Sequence, residues 1–222
     1  MKKIIVLLMA ICMMVSYAEA QTQVNARDAY EKEKKAALKS LSKKAIKAAR
    51  KDAKGFKKQG WIVPIGAPSL DKQIERSYVM AEMLNDDMLP KYFVGAGNGI
   101  GSGFTAAKIQ ADLFAKQAIA GQVQAEIVSL IEASVANKQL SNTEGTSITE
   151  FVMTSKELIV QSLSRTIPVV EAYRDLGNGN TEVMVRCFYD CETAKRTAIN
   201  VIKGELEEKS EKLHEKLEQL TF

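Results

Sequence analysis

Hydrophobic positions along this chain change period several times, and each change marks an element. An unbroken apolar run, Ile4 to Val15, comes first, behind Met1-Lys2-Lys3. From about Asn25 to Gln59 the period is helical: Leu38, Leu41, Ala45 and Ala48, with Tyr30 before and Phe56 after, trace a narrow stripe between lysine-rich faces. No Pro and no Gly before Gly55 interrupts this stretch, and its Ala, Lys, Glu and Leu content favours helix. Trp61-Ile62-Val63-Pro64-Ile65-Gly66-Ala67-Pro68 predicts an extended linker. Ser69 to about Met88 predicts a shorter helix burying Ile74, Tyr78, Ala81 and either Leu84 or Met83.

Lys91-Tyr92-Phe93-Val94 reads as a strand running into Gly95, Gly97, Gly99, Gly101 and Gly103. Five alternate glycines have no side chain to bury, so the expectation is a pliable turn rather than a regular packed strand. A long helix follows from about Thr105 to Leu140, with Ile109, Leu113, Ala120, Ile127, Ile131 and Val135 on one face. Phe114, Ala118, Ala125 and Val128 form a second face, and the alanines and Gly121 would admit a close neighbour. Ser147-Ile148-Thr149-Glu150 has capping-box spacing, which predicts a helix from near Ile148 to about Ser164. Ile167–Arg174 and Thr181–Tyr189 read as strands, the second with apolar residues at alternate positions, and Gly177-Asn178-Gly179-Asn180 supplies a hairpin turn between them. From Asp190 to about Leu220 runs a charged helix with Ile199, Leu206, Leu213 and Leu220 every seven residues, supported by Ile202 and Leu217. Lys209 and Lys216 interrupt that seam, so a parallel coiled coil is not expected. Residues 203–220 hold six Glu against four Lys, which predicts docking on the basic N-terminal helix.

Composition adds a destination. With 222 residues, 46% hydrophobic and 26% charged, the chain is neither a disordered tail, a collagen-like repeat nor a multi-span membrane protein. The basic start, the apolar run and Ser16-Tyr17-Ala18-Glu19-Ala20 form the three regions of a cleaved secretory signal, with cleavage expected after Ala20. The run is shorter than the roughly 20 residues a bilayer span needs. Ile11 precedes Cys12 deep within the run, so no lipid anchor is expected.

Charge divides the chain. Residues 25–60 carry thirteen Lys or Arg against four acids, whereas residues 61–222 carry sixteen against twenty-two. A basic arm on a mildly acidic body points to an anionic partner or to the arm folding back. Lys39, Lys43, Lys44, Lys47, Arg50 and Lys51 are the candidate anion-binding residues. Too few aromatics accompany them for base stacking, so nucleic acid is not the expected partner.

Catalytic and cofactor chemistry finds few parts. The glycine run stands where a dinucleotide loop would, but G-x-G-x-x-G fails from Gly95, Gly97 and Gly99, where the sixth residues are Ile100, Ser102 and Phe104. No nucleotide, metal or other cofactor is expected. His214 is the single histidine, set among Glu and Lys on the terminal helix. Cys187 and Cys191 are four apart, not C-x-x-C. In an extended strand their separation of about 13 Å exceeds disulfide reach, so buried free thiols are favoured over a bridge, which would need a bend at Tyr189-Asp190.

Tyr92-Phe93-Val94-Gly95-Ala96-Gly97 followed by the Ala-rich Ala111-Asp112-Leu113-Phe114-Ala115-Lys116-Gln117, and the hairpin halves Val169–Tyr173 and Glu182–Arg186, resemble the twenty-kilodalton outer-membrane lipoprotein-like (Lpp-twenty-like) envelope family. That family also includes outer-membrane lipoproteins needed for flagellar assembly. The resemblance covers about residues 91–190. It implies an α+β module, a long helix on a three-stranded antiparallel sheet, exported to the envelope and without catalytic residues. This chain departs from the pattern at its N-terminus, which offers no lipidated cysteine and adds the basic helix. The expected organisation is a signal peptide (1–20), a basic helical arm (21–60), a linker with a short helix (61–90), the α+β envelope module (91–190) and a charged C-terminal helix (191–222). The expected function is that of a non-enzymatic, exported periplasmic or outer-membrane-associated protein. Apolar faces of the long and terminal helices would assemble it with envelope proteins or with itself. The alternative is an electrostatic binder of anionic envelope polymer or lipid headgroups through the basic helix. Salt separates the two, because phosphate contacts weaken with ionic strength and apolar contacts do not.

Overall fold

The structure, a computed structural model, describes residues 43, 45–163, 166–209 and 215. In chain order it comprises α1 (residues 45–58), α2 (Leu70–Ala81), β1 (Tyr92–Gly101), α3 (Phe104–Ala136), α4 (Asn142–Thr154), α5 (Lys156–Ser162), β2 (Ile167–Asp175), β3 (Thr181–Asp190) and α6 (Cys191–Lys209). The fold is α+β. Its three strands form one antiparallel sheet in the order β1-β3-β2.

The hairpin forms as its alternation predicts. Val183, Val185, Cys187 and Tyr189 are buried on one face, and Gly177 and Gly179 take the positive φ values of 74° and 81° that close the turn. Its partner on the other side of β3 is the unexpected element. The glycine run is a ten-residue regular strand, in register from Tyr92 opposite Asp190 to Gly101 opposite Thr181. What fills the space left by the missing side chains is the backbone of α3. A Cβ on Gly95, Gly97 or Gly99 would collide with the carbonyl oxygen of Ala115, Ala111 or Ala107 respectively. Even the next atoms are inside contact distance: Ala115 N lies 2.7 Å from such a Cβ at Gly97, and Ala111 N 2.7 Å from one at Gly99. Alternate strand residues repeat about every 6.7 Å and every fourth helix residue about every 6.0 Å, so glycines two apart can meet alanines four apart over several steps. The glycines are packing residues, not a turn.

This ladder also resets the face of α3. Ala107, Ala111, Ala115 and Ile119 are fully buried, whereas the predicted Ile109 and Leu113 are exposed, as are Phe114 and Ala118 of the second face. Gly121 admits no neighbour; Lys156 Nζ, at 4.0 Å from an added Cβ, is the nearest group. The prediction succeeds in the second half, where Ile127 and Ile131 join Ile148, Val152, Ile159, Leu163, Ile202 and Leu206 in the main core. Buried Gln124 fastens this half by donating to Val152 O at 2.8 Å and Met153 O at 3.2 Å.

Several boundaries shift for local reasons. Helix α2 stops at Ala81 rather than near Met88, and the Asn85 side chain then accepts from the backbone N–H of Asp87 and Leu89 to hold a turn. Helix α3 ends at Ala136, after which Lys138 takes a φ of 59°. The capping box that starts the next helix is Ser141 with Glu144, six residues before the predicted one, and Ser155 separates α4 from α5. Helix α6 docks on α3 and α5, with Ala198, Ile199, Ile202 and Leu206 in the main core; most of the acidic stretch 203–220 expected to dock on the basic helix lies outside the described residues.

The opposite face of the sheet is covered as well. Ala49 and Ala53 of α1 join Trp61, Leu70, Ile74, Val170 and Ala172 in a second cluster, with Phe56, Tyr78 and Met184 against it. The buried stripe of α1 is thus Ala45, Ala49 and Ala53; Ala48 is exposed. Leu38, Leu41 and Tyr30 lie outside the described residues. The segment after α1 is not a free linker. Trp61 is buried under Arg174, whose guanidinium sits 4.9 Å from the ring, and Ile62 exchanges two 2.9 Å hydrogen bonds with Tyr173. Residues 45–90 therefore belong to the same compact unit as the sheet.

Candidate functional surfaces

The cationic candidates on α1 follow from its helical period. Lys47, Arg50 and Lys51 are exposed along α1, and Lys54 and Lys58 continue the row; Lys43, also exposed, belongs to a separate unit of the chain. At about 100° per residue the five on α1 fall within roughly a third of the helix circumference, opposite Ala45, Ala49 and Ala53. None forms an ion pair among the described residues. Asp52, the one acid in this helix, turns toward α2 and accepts a hydrogen bond from Tyr78, which raises the pKa of that phenol. Lys57 leaves the row to pair with Asp71, and its hydrogen bond holds the Asp71 carboxyl below the usual carboxylate range. Lys39 and Lys44 lie outside the described residues. Lys54 and Lys58 were missed although the spacings 47-51 and 50-54-58 carry them.

A second surface is the outer side of α3. Ile109 is 66% exposed, Leu113 41% and Phe114 42%, three large apolar side chains within two turns of one helix. In the described part of the terminal helix Ile199, Ile202 and Leu206 are spent in the core; Leu213, Leu217 and Leu220 lie outside the described residues. Beside the α3 patch runs the free edge of β1, partly closed by glutamines. The Gln122 side chain donates to Val94 O at 2.7 Å, and the Gln110 side chain accepts from Ile100 N at 2.8 Å. The far edge of the sheet is closed too, by Ile62 on Tyr173 and by Gln73, whose side chain accepts from Glu171 N at 2.7 Å.

The thiols are both free and buried. Although the chain bends where β3 passes into α6, they remain unbridged. Burial raises the Cys187 thiol above its ordinary value, aided by Asp112, and pushes Cys191 up to about 11. Such groups are protonated at neutral pH and poor nucleophiles. Lys108 reaches Glu171 at 2.9 Å and Asp112 at 3.2 Å; burial works against its charge, but the two carboxylates hold its pKa above the ordinary value. It ties α3 to β2 rather than facing a cavity. A groove of about 510 Å³ between α2 and the strands is lined by Lys72, Glu75, Arg76, Met80, Tyr92 and Ile167 and lies open to solvent. Its Lys72 is already paired with Glu75 at 3.8 Å.

Among the described residues no group of His, Cys, Asp and Glu is placed to hold a metal ion, and no helix is long and apolar enough to cross a membrane. His214 and the expected cleavage site at Ala20 lie outside the described residues. Comparison with models of known protein families, with curated proteins and with solved structures gave no match.

Proposed function

We propose that this protein is an exported, non-catalytic component of the cell envelope that works as an assembly module, with the outer face of α3 as its contact surface. The observation that carries this reading is the exposure of Ile109, Leu113 and Phe114 on a helix whose opposite side is fixed to the sheet. A rigid element that presents large apolar side chains loses little conformational entropy on docking, and burying them is favourable. The partners are envelope proteins or a second copy of the chain. The signal-like residues 1–20 and the family resemblance over 91–190 support the destination.

Photo-cross-linking from position 113 in intact cells tests the reading. Adducts with an envelope protein, or a self-adduct, are expected, and Ile109→Ser with Phe114→Ser should remove them. No adduct from position 113, or adducts indifferent to those substitutions, would overturn the surface. Mass spectrometry of the cellular protein should find a chain beginning at Gln21.

A second reading has its own observation, the five exposed cations on one side of α1. It makes the protein an electrostatic binder of anionic envelope polymer or lipid headgroups.

A further inference from the structure

We infer that the solvent face of α1 is a docking surface for an anionic lipid bilayer. The inference rests on the second reading and narrows its partner; assembly through α3 stands apart from it.

The charge arrangement demands an anionic partner. Lys47, Arg50, Lys51, Lys54 and Lys58 span twelve residues, about 17 Å of helix, with no carboxylate between them on that face. The row is also preorganised. Ala45, Ala49 and Ala53 hold the reverse side of α1 down, and the Asp52–Tyr78 and Lys57–Asp71 contacts fix its rotation. Binding therefore does not have to order the helix, in contrast to a segment that folds on its target.

The make-up of the row favours a headgroup layer over a nucleic acid. Four of its five members are lysines, point charges on flexible stems that suit a fluid array of phosphates, and no aromatic residue stands among them to stack a base. The chain leaving this helix carries exposed aliphatic side chains. Ile65, in the turn between Pro64 and Ala67, is 105% exposed, and Ile62 is 53% exposed. An acyl layer can accept such a side chain, whereas a soluble polyanion gains nothing from it. No bulky apolar stripe accompanies the cations, so the interaction is adsorption with a small aliphatic foothold.

Purified protein should bind vesicles of phosphatidylglycerol and phosphatidylcholine and ignore vesicles of phosphatidylcholine alone, with affinity falling steeply as salt is raised. Each basic side chain at an anionic surface contributes roughly fivefold, so Lys47→Gln, Arg50→Gln, Lys51→Gln and Lys54→Gln together should weaken binding by on the order of a hundredfold or more. A charge-keeping variant, Lys47→Arg with Lys51→Arg and Lys54→Arg, should bind like the parent, which guards against misreading a folding defect. Ile65→Ser should weaken vesicle binding several-fold and leave binding to inorganic polyphosphate unchanged. Equal binding to neutral vesicles, or an unaffected glutamine variant, would overturn the surface. Preference for polyphosphate or DNA with no effect of Ile65→Ser would overturn the bilayer as its partner. Either failure leaves the adducts from position 113 as they are, so the assembly reading is judged separately.

Discussion

In its first half α3 meets the sheet through Ala107, Ala111 and Ala115, none carrying more than a methyl group; in its second half it presents Ile119, Val123, Ile127 and Ile131. The first half packs by distance. Its partner strand has surrendered side chains at alternate positions so that the two backbones touch. The second half packs by volume, filling the space among α4, α5 and α6 with branched side chains. Both are fully buried, yet they should fail in opposite ways. The first tolerates nothing added, the second nothing removed.

The largest effect is therefore expected at the ladder. Gly97→Ala should lower stability in urea unfolding by about 3 kcal/mol or more, because the added methyl meets backbone rather than a movable side chain. Trimming the facing residue with Ala111→Gly should not rescue it, since the colliding atom is the Ala111 carbonyl oxygen. A loss below about 1 kcal/mol would show that the contact is looser than described.

Truncation in the other half comes next. Ile127→Ala should cost about 2–5 kcal/mol by leaving a cavity. The same change at exposed Ile109 should stay within about 0.5 kcal/mol.

The hairpin and the ladder were unequally legible in the sequence for a physical reason. Thr181–Tyr189 alternates on its own account, and its turn glycines announce themselves, so a local reading suffices. Gly95–Gly101 makes sense only with Ala107–Ala115 in view, and glycines taken alone suggest a break. The signal was present as two matched periods, glycine every second residue and alanine every fourth. The same undervaluing of alanine put Ala48 rather than Ala49 in the buried stripe of α1 and sent Ile109 and Leu113 inward. Of two Ser-x-x-Glu boxes six residues apart, the expectation rests on Ser147–Glu150 and overlooks the earlier Ser141–Glu144; buried Leu140 stands beside the Ser141 that caps the helix. Of the candidate surfaces, the cations were legible because like charges at helical spacing have nowhere to go but solvent. The apolar patch on α3 was not, because the face was assigned before its partner was known.

A smaller effect separates the thiols from the packing around them. Cys191 is held protonated to about 11 against an ordinary value of 9.0. The fold thus favours the protonated form, and that contribution is complete below about pH 9 and is lost as pH rises through about 11. Comparing urea midpoints at about pH 8 and about pH 10.5, the parent should lose more stability than Cys191→Ala.

The smallest expected change has the opposite sign. Gly121 lies where the two modes of packing meet, and a Cβ there would meet nothing nearer than Lys156 Nζ at 4.0 Å. Gly121→Ala should raise stability by about 0.8–1 kcal/mol through helix propensity alone. A loss there would extend the close approach further along α3 than the ladder reaches.

The two repeats in that ladder are unequal rulers, and their mismatch of about 0.7 Å per step acts as a vernier. The three marks coincide equally closely and the ladder stops where the helix does: an atom added at Gly101 would meet Ala107 N at 2.8 Å and Ala106 Cβ at 2.9 Å, because α3 begins at Phe104 and has no carbonyl of its own one turn further on. The vernier also has detents. Sliding β1 by one residue would drive Ala96 and Asn98 into the helix, so the permitted error is a jump of two residues against one turn. Misassembly at this strand should come in whole notches, and a chain caught one notch out would have to lift the strand clear of the helix to correct itself.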